Sequence, residues 1–238
     1  MNIVNSFSTI GLAALVHACF QLSISVLTLI SSHTMGAGKA KSKLLSITAG
    51  FVLGASVMTI LLLSFTCLIL TKYFEAKIPL IVWAISCGMA VGAALSIWIF
   101  YYRRDKGTTL WVPRSIAKYI TIRAKKTKLS GEAFGLGLSS VFGELLFIIT
   151  PIFISSLAIL QLPGPNLQLL GILFYTIISM LPLFVVWMLI NGGFSLGAIQ
   201  NWRETNKHFL QFTSGIGLVV IAFFLSVNAI IINFMGNL

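Results

Sequence analysis

The first long apolar stretch of the chain carries polar side chains of types that can bind protons, solutes or sulfur. The segment GLAALVHACFQLSISVL, residues 11–27, contains His17, Cys19, Gln21, Ser23 and Ser25. A second position of interest is Glu144, the only Asp, Glu, Lys or Arg inside any long apolar stretch. An imidazole and a carboxylate can exchange protons, and hydroxyl and amide groups can bind a polar solute. The sequence therefore predicts a polar site wherever these two stretches meet.

The composition is that of a membrane protein. Of the 238 residues, 58% are hydrophobic and 9% are charged, and the mean hydropathy is +1.00. A soluble domain carries about 25% charged residues, which keep its surface hydrated. This chain has too few charges for that, so a lipid bilayer is the expected environment.

Six segments are long enough to cross a bilayer, which takes about 20 mostly apolar residues. They cover residues 7–30, 44–70, 79–101, 134–160, 167–190 and 209–234. The first has no Lys or Arg before it, unlike a signal peptide, so we expect it to remain in the mature protein. The predicted fold class is an all-α membrane protein with six transmembrane helices.

The distribution of positive charge predicts the orientation. The loops after the first, third and fifth segments contain fourteen Lys and Arg residues: Lys39, Lys41, Lys43, Arg103, Arg104, Lys106, Arg114, Lys118, Arg123, Lys125, Lys126, Lys128, Arg203 and Lys207. The opposite side has only Lys72 and Lys77. Positive loops stay in the cytoplasm, so both termini are expected outside, with a bacterial inner membrane as the expected location. The net charge of +11 then reflects topology and anionic lipids and predicts no nucleic-acid partner.

The six segments divide into two blocks of three. Residues 1–102 form the first block, residues 103–131 a basic connector, and residues 132–238 the second block. Because three is odd, the second block enters the membrane from the opposite face, as in the inverted repeats of transporters. The segments GLAALVHACF and GLGLSSVFGE open the two blocks with weak similarity. We therefore expect a 3+3 inverted repeat with a site near the midplane.

His17 and Glu144 are both predicted near the middle of the bilayer. Each lies about ten residues from its own end of the span, which is roughly 15 Å into a core about 30 Å thick. An ionised carboxylate at that depth costs about 2.5–3.5 kcal/mol, so a partner is needed, and His17 or Gln21 is the expected one. The alternative is that Glu144 is protonated, or bonded to Ser139, Ser140 or Thr150, and only joins helices.

The connector contains the basic stretch PRSIAKYITIRAKKTK, residues 113–128. Pro113 suits a first helical turn, and Ile116, Tyr119 and Ile120 fall on one helical face. This pattern predicts an amphipathic helix on the inner leaflet. A docking surface for a cytoplasmic protein is the alternative.

Prolines and glycines indicate where helices bend or approach each other. Thr150 with Pro151, and Pro182 in the next segment, are candidate hinge or cavity positions because proline removes a backbone donor. The small residues expected at close helix contacts are Gly50, Gly54, Gly88, Gly92, Gly215 and Gly217. Such residues let two backbones approach closely in a membrane.

Several segments resemble the cytochrome c biogenesis transmembrane family, which includes CcdA and the membrane domain of DsbD. The first two helices are similar through GLAALVHACFQLSISVL, GAGKAKSKLL and SITAGFVLGASVMTILL, and the fourth through GEAFGLGLSS and FIITPIFISSLAIL. A more distant resemblance is to the lysine-exporter (LysE) superfamily of six-helix transporters. The first resemblance implies a redox dithiol with one cysteine in helix one, at Cys19, and another in helix four. Helix four has no cysteine here, since Phe142–Leu146 occupies that region.

The remaining cysteines are Cys67 and Cys87. They could face each other across the second and third helices, or they could be small buried apolar side chains. No phosphate-binding loop, dinucleotide fingerprint or metal-ligand run is present in the sequence. We therefore expect no enzyme, no cofactor and no metal.

Three functions remain open. The first is transport of a small solute, ion or proton through a midplane site containing His17, Gln21, Ser23, Ser25 and Glu144. The second is a thiol–disulfide relay using Cys19 with a partner's thiol. The third is a non-transporting subunit that anchors a cytoplasmic or periplasmic protein through the connector. The missing second thiol favours the first.

Overall fold

All regular secondary structure in the described part of the chain is helical. The structure is a computed structural model that describes residues 2–20, 23–36, 41–74, 78–101 and 114–231. Its helices are α1 (Ile3–Cys19), α2 (Ser23–Gly36), α3 (Lys41–Phe74), α4 (Leu80–Ser96), α5 (Arg114–Lys126), α6 (Ser130–Leu160), α7 (Gly164–Asn191), α8 (Leu196–Thr205) and α9 (Lys207–Leu225). π-Helical turns continue α4 over Ile97–Tyr101 and α9 over Ser226–Ile231.

Among the described residues, five helical stretches are long and apolar enough to cross a membrane. They are Lys41–Phe74, Leu80–Phe100, Ser130–Leu160, Gly164–Asn191 and His208–Asn228. A sixth span is formed if α1 and α2 are taken together. The all-helical architecture and these apolar helices are those of an integral membrane protein.

The first predicted span is not one continuous helix. It consists of α1 and α2, whose axes are inclined by 45°. The last turn of α1 tightens, because the Phe20 N–H donates to the His17 carbonyl at 3.0 Å, a spacing of three residues. No proline lies in this segment. Neither proline nor apolar length therefore predicted the break.

Glycines bring α3 and α6 into close contact. A Cβ on Gly54 would overlap the Phe134 carbonyl, and one on Gly137 would overlap the Phe51 carbonyl. A Cβ on Gly50 would also come too close to the backbone carbonyl of Ser130. The predicted close contact at Gly50 and Gly54 is therefore confirmed, and it fixes the distance between the helices that flank the polar site.

The other predicted glycine contacts divide into two groups. Gly215 lies against the Trp98 indole and Gly217 against Val16, as expected for close packing. For Gly88 and Gly92 the prediction is wrong, since a Cβ on either would meet no atom of the described residues within 4 Å. The spacing of the two glycines in α4 therefore does not correspond to a close helix contact within the described structure.

The helices of the two halves interleave. In the first half, α1 packs against α7 and α9, and α3 packs against α6 and α7. At one end of the bundle the Asn5 Nδ2 donates to the Asn228 Oδ1 at 2.8 Å. At the other end the Trp187 Nε1 donates to the Thr48 Oγ1 at 3.1 Å. The polar groups near the start of α1 and the end of α9 therefore lie at the same end of the molecule.

The connector helix α5 packs on the protein itself. It contacts α2 and α6, and Ile120 and Ala124 are buried there. Tyr119 is exposed, with the Arg123 guanidinium 5.6 Å from its ring centroid. The predicted helix is present, but its expected apolar stripe divides: Ile120 faces protein and Tyr119 does not. The side chain of Ile116 lies outside the described residues.

Candidate functional site

Glu144 lies at the centre of α6 and is 1% exposed. Its Oε1 accepts two hydrogen bonds from Ser23, one from the backbone N–H at 2.5 Å and one from the hydroxyl at 2.7 Å. Ser23 is the first residue of α2. The carboxylate of one helix therefore caps the N-terminus of a half-helix.

This geometry explains how a carboxylate can lie in an apolar bundle. The first N–H groups of a helix have no partner within the helix and carry partial positive charge. Hydrogen bonds to an ionised acceptor are shorter and about twice as strong as those between neutral groups. Because α1 ends at Cys19, the N-terminus of α2 is available to Glu144. An unbroken helix would have used the same N–H internally.

Ser140 completes this cluster on the α6 side. It lies one helical turn before Glu144, on the same face of the helix. Its hydroxyl oxygen is 3.0 Å from that of Ser23 and donates to the Gly137 carbonyl at 2.8 Å. The three residues therefore form a buried polar chain that links α2 to α6.

His17 extends the cluster to α1 and α7. Its Nε2 lies 3.9 Å from the Glu144 Oε2, and both side chains are buried. Its Nδ1 is 2.9 Å from the hydroxyl of Tyr175, which is also fully buried. The Nε2 has no hydrogen-bond partner among the described residues. An imidazole held between a phenol and a carboxylate can exchange a proton with either neighbour.

The structure thus brings together three of the five residues predicted for the midplane site, His17, Ser23 and Glu144. Gln21 lies outside the described residues. Ser25 faces elsewhere, since its Oγ accepts from the Arg203 Nη1 at 2.7 Å. Residues two apart on a helix point in different directions, so Ser23 and Ser25 could not both face Glu144. What these residues do in the protein stays a prediction.

The prolines lie in helices that continue through them. Thr150 and Pro151 are buried within α6, and Pro182 is half-buried within α7. Each proline lacks the backbone N–H that an α-helix would pair with the carbonyl four residues earlier. Their role as hinges stays a prediction. The predicted span that is divided into two helices is the first one, which contains no proline.

The cysteines are all free and lie in separate environments. The Cys19 thiol donates to the Leu15 carbonyl at 3.4 Å. The Cys87 sulfur is 3.5 Å from the Ala222 carbonyl and 3.6 Å from the Ser226 hydroxyl, both on the α9 side. Cys87 therefore contacts α9, and the pairing with Cys67 that the sequence allowed is not formed.

Two neighbouring cavities lie on the α8 side of the break. The polar cavity has a volume of about 380 Å³ and is lined by Cys19, Phe20, Ser25, Thr28, Leu29, Gln200, Arg203, Glu204, Leu210, Gln211 and Ser214. The apolar groove has a volume of about 740 Å³ and is lined mainly by aliphatic and aromatic residues of α1, α7 and α8. No group of three His, Cys, Asp or Glu among the described residues could hold a metal ion.

Sequence reasoning missed two residues of this region. Tyr175 is a phenol in the middle of an apolar stretch, and its need for a buried partner was a usable signal. Arg203 was counted only as a positive charge of a loop, whereas it donates to α2 and lines both cavities. Nothing in the spacing of Arg203 indicates that contact, because it joins residues 178 positions apart.

Comparison with known proteins identifies no relative: no protein-family model, curated protein or solved structure matches the chain. The geometry of the site is therefore the main guide to function.

Proposed function

We propose that this protein transports a small solute, an ion or a proton across the membrane, with Glu144 and His17 at the centre of the path. The observation that carries the proposal is the buried Glu144 carboxylate capping the N-terminus of α2, with His17 3.9 Å away. Many transporters form their midplane sites from discontinuous helices, whose half-helix N-termini attract negative charge. Ionisable groups inside membrane spans are also characteristic of proton pathways.

The packing of the helices supports an inverted repeat. If α1 with α2 corresponds to α6, then α3 corresponds to α7 and α4 to α9. The contact of α3 with α6 then has its counterpart in the contact of α7 with α1, and α4 packs against α9. Both third helices end in π-helical turns, and each turn contacts the other helix. This arrangement would place the midplane site at the interface between the two repeats.

A proton on Glu144 would change how α2 is held. As a carboxylate, Glu144 is attracted to the positive end of α2 and accepts two hydrogen bonds from Ser23. Addition of one proton gives the neutral acid and removes most of that attraction. The N-terminus of α2 is then free to move relative to α6. Binding of a proton would therefore shift the balance between two positions of the half-helix, which is the basis of coupling.

The test is proton flux in proteoliposomes that contain an entrapped pH-sensitive dye, driven by a potassium diffusion potential. We expect Glu144→Gln to reduce flux to the level of empty liposomes, because the amide keeps the shape but cannot exchange a proton. The matched control is Glu132→Gln, the same change at the exposed start of α6. If Glu144→Gln conducts protons as the wild type does, and still folds, the site has no part in proton movement.

The same assay addresses His17. We expect His17→Ala to lower flux strongly, because the His17 Nε2 lies 3.9 Å from the Glu144 Oε2. If a solute is carried without protons, Glu144→Gln should instead abolish its uptake while proton flux is absent in all variants. Normal transport in both variants would contradict the proposal.

The expected orientation and family belong to the same proposal. We propose a bacterial inner membrane with both termini outside, and a distant relation to the CcdA and DsbD membrane domains or to the LysE superfamily. The thiol relay and the anchoring subunit remain alternatives. The relay has less support, because Cys19, Cys67 and Cys87 are free and the Cys87 contacts are with α9.

A further inference from the structure

The polar cavity and the apolar groove are neighbours that share part of their walls. Cys19, Arg203 and Leu210 line both of them. Their volumes, about 380 Å³ and 740 Å³, fall within the usual range of roughly 300–1,000 Å³ for ligand sites. The two spaces therefore form one site with a polar end and an apolar end, which suits an amphiphile.

The polar end carries complementary charges. Both the Arg203 guanidinium and the Glu204 carboxylate line it, on α8. A guanidinium binds phosphate in a bidentate manner, and a carboxylate accepts from a primary ammonium. The lining therefore favours a headgroup that carries one phosphate and one ammonium.

A buried acceptor in the same cavity strengthens this reading. Gln211 is 5% exposed, and its Oε1 has no hydrogen-bond partner among the described residues. A buried amide oxygen is normally hydrogen-bonded, so the Gln211 Oε1 is an acceptor that a donor group of a ligand in this cavity can use. An ammonium, which has N–H groups to donate, would satisfy it.

The apolar end is an open groove with an exposed apolar rim. Its rim includes Leu181, Val185, Phe194 and Trp202, all of them exposed. Tryptophan at such a position is typical of the interface between bilayer and water, and it directly precedes Arg203 in the chain. The polar cavity therefore lies at headgroup depth, with the groove extending toward the acyl chains.

We propose that the polar cavity and the apolar groove together bind one phospholipid with an ethanolamine headgroup. Its phosphate pairs with Arg203, its ammonium donates to Glu204 and the Gln211 Oε1, and an acyl chain fills the groove. This lipid site is separate from the Glu144 site, so it can be tested by binding and does not depend on transport.

Native mass spectrometry of the full chain is the test, with the protein equilibrated in mixed micelles of three lipids that share the same acyl chains. They are phosphatidylethanolamine, phosphatidylcholine and phosphatidylglycerol. We expect one phosphatidylethanolamine to be retained at least tenfold over the others, since choline has no N–H and glycerol has no positive charge. Equal retention of the three lipids would overturn the proposal.

Two substitutions separate the charges. Arg203→Gln should lower retention of phosphatidylethanolamine at least tenfold, and Glu204→Gln should remove the preference for it over phosphatidylglycerol. The matched controls are Arg123→Gln and Glu132→Gln, which lie together near the start of α6, away from both cavities. They should leave retention unchanged. If Arg203→Gln retains the lipid as the wild type does, Arg203 does not hold the phosphate and the proposal fails.

A third substitution tests whether the groove holds an acyl chain, and its melting temperature shows whether the variant is folded. Ala198 is exposed at the groove, so Ala198→Trp should fill it and lower lipid retention while the melting temperature stays unchanged. Soluble phosphoethanolamine should bind far more weakly than the lipid. If it binds equally well, or if Ala198→Trp retains the lipid, the groove holds no acyl chain and the proposal is wrong.

Discussion

At the scale of single residues, the main question is how Glu144 is stabilised at the centre of a helix bundle. The sequence pointed to His17 or Gln21 as its partner. Among the described residues, Ser23 donates two hydrogen bonds to the Glu144 carboxylate, and the His17 Nε2 lies 3.9 Å from it. Every non-proline residue has a backbone N–H, and inside a helix that group is already hydrogen-bonded. It is available to another acceptor only where a helix begins. Side-chain types alone could not identify this donor.

The phenol of Tyr175 gives a prediction at this scale. We expect Tyr175→Phe to lower the free energy of unfolding by about 1–3 kcal/mol, because the His17 Nδ1 would lose its partner in a buried site. The measurement is unfolding in mixed micelles of a mild detergent and increasing dodecyl sulfate. Tyr73→Phe is the control, since Tyr73 is exposed and its change should have little effect. Equal stability of both variants would mean that the His17–Tyr175 hydrogen bond does not contribute.

At the scale of elements, the break between α1 and α2 matters most. Each half is long enough to be a helix, and the two together are long enough to be a span. Apolar length predicted a span here but not its interruption, and that α1 with α2 crosses the membrane once stays a prediction. What the interruption provides is a helix N-terminus next to Glu144, so the element and the site depend on each other.

The close contact of α3 and α6 gives a prediction for elements. We expect Gly54→Ala to lower the free energy of unfolding by about 1–3 kcal/mol or more, because its methyl group would overlap the Phe134 backbone. Gly88→Ala is the matched control, since no described atom lies within 4 Å of the added methyl. It should be neutral or stabilising by up to about 1 kcal/mol through helix propensity. The same unfolding assay compares them. A Gly54→Ala variant as stable as Gly88→Ala would contradict the observed helix distance.

At the scale of the whole molecule, the beginning of the first described helix and the end of the last one lie together. The hydrogen bond between Asn5 and Asn228 joins the start of α1 to the π-helical turn after α9. If these two elements lie on one side of the membrane, the number of crossings is even, as it is when α1 with α2 forms one span. The distribution of Lys and Arg predicts that both termini lie on the outer side of the membrane.

Topology is the prediction at this scale. We expect epitope tags on the two termini of the protein to be cleaved together by protease added to intact spheroplasts, because the distribution of Lys and Arg predicts both ends outside. A tag inserted in the connector, between residues 103 and 113, should be protected until the membrane is opened. If one terminal tag is cleaved and the other protected, the count of six spans is wrong. If both are protected, the orientation is reversed.

The sequence by itself determined the class of protein, the approximate spans and the two ionisable residues worth attention. It could do so because composition and segment length depend directly on the bilayer. Charged side chains are excluded from its apolar core, and each span must make its backbone hydrogen bonds internally over about 20 residues. The α5 helix was also predictable from its pattern, although which of its faces would meet protein was not.

Only the tertiary structure decided which groups meet. The capping of α2 by Glu144, the contact of His17 with Tyr175 and the bond from Arg203 to Ser25 join residues 121, 158 and 178 positions apart. It also decided that Gly54 lies at a close contact and Gly88 does not, although the two have similar sequence surroundings. The physical reason is that close packing and hydrogen bonding are short-range. Their partners are set by how the helices dock, and that is a property of the whole bundle.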